Sequence, residues 1–231
     1  MDTLQTVLFV APVLLFSVIA HEYAHGYVAL KQGDSTAQQL GRLTWNPLKH
    51  IDPFLTILMP LMMGVMSNWR IVLGGAKPVP VNPANYRSLV RGDILVSLAG
   101  VAANLVIAIL CTICIALFGA ISSMAPLAGP TVGVLQVMMM YGVAINLALI
   151  AFNLIPIPPL DGSHVMKYLL PATWSVWYQK SSRFGLIILI LLIGYGSRPL
   201  ELWMRPAVFV QTTLLTSVSR FIDPSVDRWR R

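Results

Sequence analysis

His21, Glu22 and His25 form an H-E-x-x-H pattern, in a chain of 231 residues that has only four histidines and only two glutamates, Glu22 and Glu201. Residues four apart on a helix return to within about 40° of each other, so both imidazoles can grip one ion. Glu22 then points to a neighbouring face, where its carboxylate can meet a water held by that ion. Zinc makes such a water acidic near pH 7 and polarises a peptide carbonyl, while the carboxylate accepts the proton. The chemistry expected is metal-assisted peptide hydrolysis. The competing reading, a pair of core histidines hydrogen-bonded to other helices, would bury Glu22 for no gain.

A catalytic zinc needs a third protein ligand and keeps its fourth position for water. The best candidate lies far along the chain, in Asn153-Leu154-Ile155-Pro156-Ile157-Pro158-Pro159-Leu160-Asp161-Gly162. Three prolines at the end of an apolar helix cannot sustain helical hydrogen bonding, so the backbone should unwind there and can fold Asp161 back towards the metal. The bland alternative is a solvated aspartate before a turn glycine. His164, three residues further on, is a rival ligand, because imidazole is a good zinc donor.

The elements that carry these residues are membrane elements. Leu4 to Leu30 has no ionisable side chain besides His21, Glu22, His25 and tyrosine, and about 20 helical residues cross a bilayer core of about 30 Å. Ile94 to Ile121 and Thr131 to Leu154 are also long enough to span. Phe54 to Met66 is short and interrupted by Pro60 and Gly64, which suits a re-entrant or interfacial element. Phe184 to Gly196 completes a fourth span only by borrowing flanking residues, and Val208 to Val218 is an interfacial helix or part of another span. The fold class expected is therefore an all-α polytopic membrane protein, read as one domain over 1–231.

Composition points the same way. With 56% hydrophobic and 11% charged residues, and a mean hydropathy of +0.72, the chain is not an ordinary globular domain, where about 25% are charged. The 16 basic residues outnumber the 9 acidic ones, but no stripe of aromatic and basic residues accompanies them, so nucleic acid is excluded as a partner. The surplus instead orients the spans. Residues 31–53 hold Lys31, Arg42 and Lys49; residues 68–93 hold Arg70, Lys77, Arg87 and Arg91; residues 156–183 hold Lys167, Lys180 and Arg183; Ser122 to Pro130 holds none. The positive-inside rule then puts the first three on the cytoplasmic side and the last outside. No Lys or Arg precedes the first apolar run, which continues through the metal motif, so no cleaved signal peptide is expected.

On these residues the chain resembles the site-2 protease family of intramembrane zinc metalloproteases. H-E-x-x-H at 21–25 and N-x-x-P-x-x-x-x-D-G at 153–162 match its two defining motifs in order. Residues 41–53 and Ala76-Lys77-Pro78-Val79-Pro80-Val81 are similar to the compact bacterial branch without PDZ domains. The resemblance implies a catalytic core of three transmembrane helices over about 4–170, with one or two further helices over about 184–220. It also implies one zinc per chain, with His21, His25 and Asp161 as ligands and Glu22 as base. The substrates implied are single-pass proteins cut within the bilayer, in regulated intramembrane proteolysis at the bacterial cell membrane. Substrate is thought to be presented to a hairpin edge, for which Gln38 to Thr44, turning at Gly41, is the segment here.

Asn104 falls in Ala99-Gly100-Val101-Ala102-Ala103-Asn104, similar to the family's A-G-P-x-x-N except that Val101 replaces proline. Its amide is a candidate to hold a substrate strand or an oxyanion, against a plain helix–helix hydrogen bond. Asn153, close to Asp161 in sequence, is a second such candidate, whereas Asn146 reads as packing glue. His50 reads as structural, and Cys111 and Cys114 as small apolar residues within a span. Two other function classes compete with the protease: a non-proteolytic zinc-binding adaptor, which loss of a motif residue would favour, and a metal transporter, which would need polar positions repeated along several spans.

Overall fold

The computed structural model describes residues 3–66 and 74–227. Arg70, one of the basic residues used to orient the chain, lies outside the described residues. Among the described residues the chain forms nine α-helices, short 3-10 turns and one π-helical turn joined by irregular segments, with no strand. Helix α1 (Thr3–Gln32) carries the H-E-x-x-H motif, α4 (Leu89–Met124) and α5 (Gly129–Asn153) follow the intervening loops, and each is long and apolar enough to cross a membrane. These are the three helices of the expected core. Their apolar side chains face outwards: Leu105, Val106, Ile109, Leu110 and Leu117 on α4 are all exposed, while Ser17, Asn104, Gln136 and Asn146 are fully buried. A bilayer solvates the first group, and the second must find partners inside the protein.

The described residues fall into two compact units, 1–17 with 101–231 and 18–100, and the divisions lie inside α1 and α4. In the first unit, Ala108, Cys111 and Ile115 of α4 pack with Val143 and Leu147 of α5 and with Val218. Gly142 permits the close approach, since a Cβ there would stand 2.5 Å from the Cys111 sulfur. Asn146 donates to Ser17 Oγ and to the Gly142 carbonyl, both at 2.8 Å, and so ties α5 to the middle of α1, the packing role read for it. Both cysteines are free; Cys111 packs in this core as expected, and Cys114 is half-buried.

The C-terminal region forms α6 (Asp161–Leu169), α7 (Ala172–Ser181), α8 (Gly185–Tyr195) and α9 (Ser197–Ser217). Residues 172–195 together are long and apolar enough to span, so the borrowing of flanking residues expected for 184–196 is met. Their contacts nevertheless gather at the C-terminal end of α5. Tyr178 donates to the Pro156 carbonyl, and Leu189 packs with Ile155 and Leu160. It is α9 that follows α5 along its length. Trp203 donates to the Ala151 carbonyl at one end; beyond α9, Asp223 N donates to Gln136, Ser122 to the Asp223 carboxylate, and Ser225 to the Gly129 carbonyl at the other.

In the second unit α1 ends at Gly33, whose φ of +111° suits glycine and whose neighbour Asp34 N closes the helix on the Ala29 carbonyl. Thr36–Gln39 is a helical turn (α2), so the hairpin expected over Gln38 to Thr44 is not formed by these residues, although Gly41 is indeed the turn, with φ +62°. The reason is local: Asp34 accepts from Thr36 N and Oγ1 and starts a helix where a strand would have to begin. Residues 53–58 form a π-helical turn leading into α3 (Met59–Met66). Pro60 sits in the first turn of α3, and residues 67–73, which follow it, lie outside the described residues.

Candidate metal centre

Two turns before its end, α1 sets His21 and His25 one above the other, with ring centroids 4.6 Å apart and planes at 82°. His25 Nδ1 lies 2.7 Å from the Val96 carbonyl of α4. A proton on Nδ1 donated there fixes the ring and leaves Nε2 as the ligating lone pair, the support a metal-binding histidine ordinarily has. Opposite the two imidazoles α4 carries Gly100. A Cβ at that position would stand 2.6 Å from Nε2 of both His21 and His25, so only glycine leaves them room.

The third candidate donor, Asp161, belongs to the other unit, and His164 lies one turn beyond it on α6. The prolines act as expected on the segment before Asp161. Helix α5 stops at Asn153, the chain turns over residues 154–160, and Asp161 opens α6. Gly162 lets the chain double back, since a Cβ there would run into the Leu154 carbonyl. Two imidazoles and a carboxylate are a donor set suited to zinc, and the glycine cradle and the locked His25 ring fit a metal as well.

Glu22 Oε2 accepts a hydrogen bond from Val79 N at 2.7 Å. Val79 belongs to an extended segment held from several sides: Lys77 N donates to the His50 carbonyl, Arg42 to the Lys77 carbonyl, Thr56 to the Gly75 carbonyl, and Asn82 N to Asp34. His50 is buried and bonded to the Thr44 carbonyl, in keeping with a structural role. Sequence reasoning gave no role to Val79 or Gly100. The available signal for Val79 was its position between Pro78 and Pro80, which leaves its N–H as the one backbone donor between Lys77 and Val81.

Asn104 stands one turn beyond Gly100 on α4, fully buried, with neither amide atom hydrogen-bonded. Asn153 donates to the Leu149 carbonyl of its own helix at 3.0 Å.

Comparison with known proteins brings these features together. Residues 9–193 match the family model Peptidase family M50. A Bacillus subtilis (strain 168) protein named as a zinc metalloprotease, YwhC, is 37% identical over 190 residues, 82% of this chain and 82% of its own. A zinc metalloprotease by name, Rip2 of Mycolicibacterium smegmatis, is 31% identical over 180 residues, 78% of this chain and 64% of its own. No solved structure matches.

Proposed function

The chain belongs to peptidase family M50, the site-2 proteases, and from that premise we propose that it cuts the transmembrane segments of single-pass membrane proteins, with one zinc held by His21, His25 and Asp161. It is a zinc-dependent protease of the membrane; its relatives are bacterial, which makes that membrane the bacterial cell membrane. The observation that carries the site assignment is the pair of stacked imidazoles of H-E-x-x-H, cleared by Gly100, to which the second motif adds Asp161 as the carboxylate donor.

When bound, zinc lowers the pKa of a water to about 7 and polarises a peptide carbonyl. Glu22 takes the proton of the attacking water on its carboxylate and returns it to the leaving amine. The Val96 carbonyl holds His25 in the tautomer that ligates. Asn104, buried with its amide unpaired, is assigned to the substrate backbone or the developing oxyanion, since a donor left unsatisfied in the resting protein is available there. Asn153, at the C-terminal end of α5, is the second candidate for that role, its amide shared with the Leu149 carbonyl.

The test uses purified protein and Glu22→Gln. Wild type should hold about one zinc per chain, and the variant should keep the metal while losing cleavage, because an amide cannot accept the proton. Turnover by Glu22→Gln at the wild-type rate sinks the mechanism. The same variant, crosslinked in cells, should retain single-pass proteins; recovery of only multi-pass or soluble proteins would overturn the substrate class.

A further inference from the structure

We propose that the backbone N–H of Val79 is a positioning donor for the reaction: it holds one oxygen of Glu22 so that the other faces the attacking water. The inference rests on the reading of Glu22 as the base. A glutamate side chain has three rotatable bonds, and a base that must be met in one geometry loses rate when it is free to turn. The 2.7 Å bond from Val79 N to Oε2 removes that freedom and leaves Oε1 to accept a proton. A hydrogen bond to an ionised carboxylate is among the stronger ones available.

The donor is itself fixed. Pro78 and Pro80 preset an extended backbone, since a residue before proline is kept out of the helical region. The Val79 side chain is buried in a slot opened by Gly26, one residue past His25: a Cβ on Gly26 would stand 2.9 Å from Val79 Cγ1. Arg42 clasps the Lys77 and Pro78 carbonyls at 2.8 and 3.3 Å, and Asp34 takes Asn82 N at 2.7 Å. A segment pinned on both sides of its one pointed N–H is built as a wall, not as a strap that swings clear.

The composition of the chain supplies the probe. With only Glu22 and Glu201 present, carboxylate-13C glutamate labelling gives two side-chain signals, and Glu201→Gln assigns them. The zinc-free protein, at one pH, is compared as wild type, Val79→Ala, Val79→Pro and a backbone ester at position 79. Val79→Ala trims the side chain and keeps the N–H. Val79→Pro removes the N–H within an already proline-rich run, and the ester removes it without touching the side chain.

The proline and ester variants should move the Glu22 signal in the same direction, and Val79→Ala should leave it in place. With zinc, and a fluorogenic peptide of one apolar span in mixed micelles, kcat should fall about tenfold or more in the two N–H-less proteins, part of the 10²–10⁴ that a general base contributes, with KM unchanged. If Val79→Pro fails to fold, the ester decides. A Glu22 signal common to all four proteins, or a kcat that rises or equals that of Val79→Ala, overturns the proposal. Cleavage by Glu22→Gln would instead remove the base assignment while leaving the carbon shift standing, so the two failures are distinguishable.

Discussion

At the residue scale the metal centre depends on atoms that are missing as much as on those present. Gly100 has no side chain to contribute, yet a methyl group there would fall 2.6 Å from Nε2 of both His21 and His25. Gly100→Ala should therefore lower zinc affinity about 10- to 100-fold, the range seen when groups supporting a ligand are disturbed, as read by competition with a chelator. Asp161→Ala should lose the metal and His164→Ala keep it, and the reverse result would reassign the third ligand. Asn104 makes a different kind of test. An unsatisfied buried polar group costs about 1–3 kcal/mol, so Asn104→Leu should leave the thermal midpoint unchanged or raised while cleavage falls. A destabilised protein with normal cleavage would mean that the amide is structural.

At the scale of elements, Asp34 joins the end of α1 to the segment that carries Val79. Its carboxylate is fully buried and accepts from Thr36, from Asn82 N and from Asn85. Burial alone would raise its carboxyl, but the hydrogen bonds from Thr36, Asn82 and Asn85 outweigh this and hold it below the usual carboxylate range. The stability it supplies is therefore fully present above its unfolded value, about 3.9, and is lost as pH falls below that through the lowered folded value. Thermal unfolding in detergent between about pH 5 and pH 2.5 should show a steeper loss for wild type than for Asp34→Asn. Asp34→Ala, which strands the Asn82 and Asn85 donors, should cost about 2–4 kcal/mol. Equal pH slopes for wild type and Asp34→Asn would remove this anchor from the account.

At the scale of the whole molecule, charge and contacts predict which ends share a side. Seven basic residues in 31–53 and 68–93, three in 156–183 and none in 122–130 place the first three stretches in the cytoplasm and the last outside. The hydrogen bonds from Ser122 and Ser225 bring the end of α9 to the same end of α5 as that loop. In a background lacking Cys111 and Cys114, single cysteines at Lys49, Arg87 and Lys167 should resist an impermeant thiol reagent in intact cells, whereas Ala125 and Ser219 should both react. Labelling at 87 but not 49 would mean that the stretch containing α3 crosses the membrane. Labelling at 125 but not 219 would mean that α9 does not accompany α5 across the bilayer.

What the sequence by itself determined are features governed by local rules. H-E-x-x-H reads as a metal pair because helical periodicity stacks His21 on His25, and three apolar runs read as spans because a bilayer sets their length. The prolines from 156 to 159 forecast the break that ends α5, since they cannot hold helical hydrogen bonds. Where Asp34 captures Thr36, a side chain competed with the backbone, and a helical turn formed where a hairpin was read. Tertiary structure alone decided the rest: that Gly100 stands against the imidazoles, that the Val79 N–H meets Glu22, and that α9 rather than the more apolar 172–195 stretch follows α5. Each of these is a contact between residues 52 to 79 positions apart in the chain, and periodicity carries no information at that range.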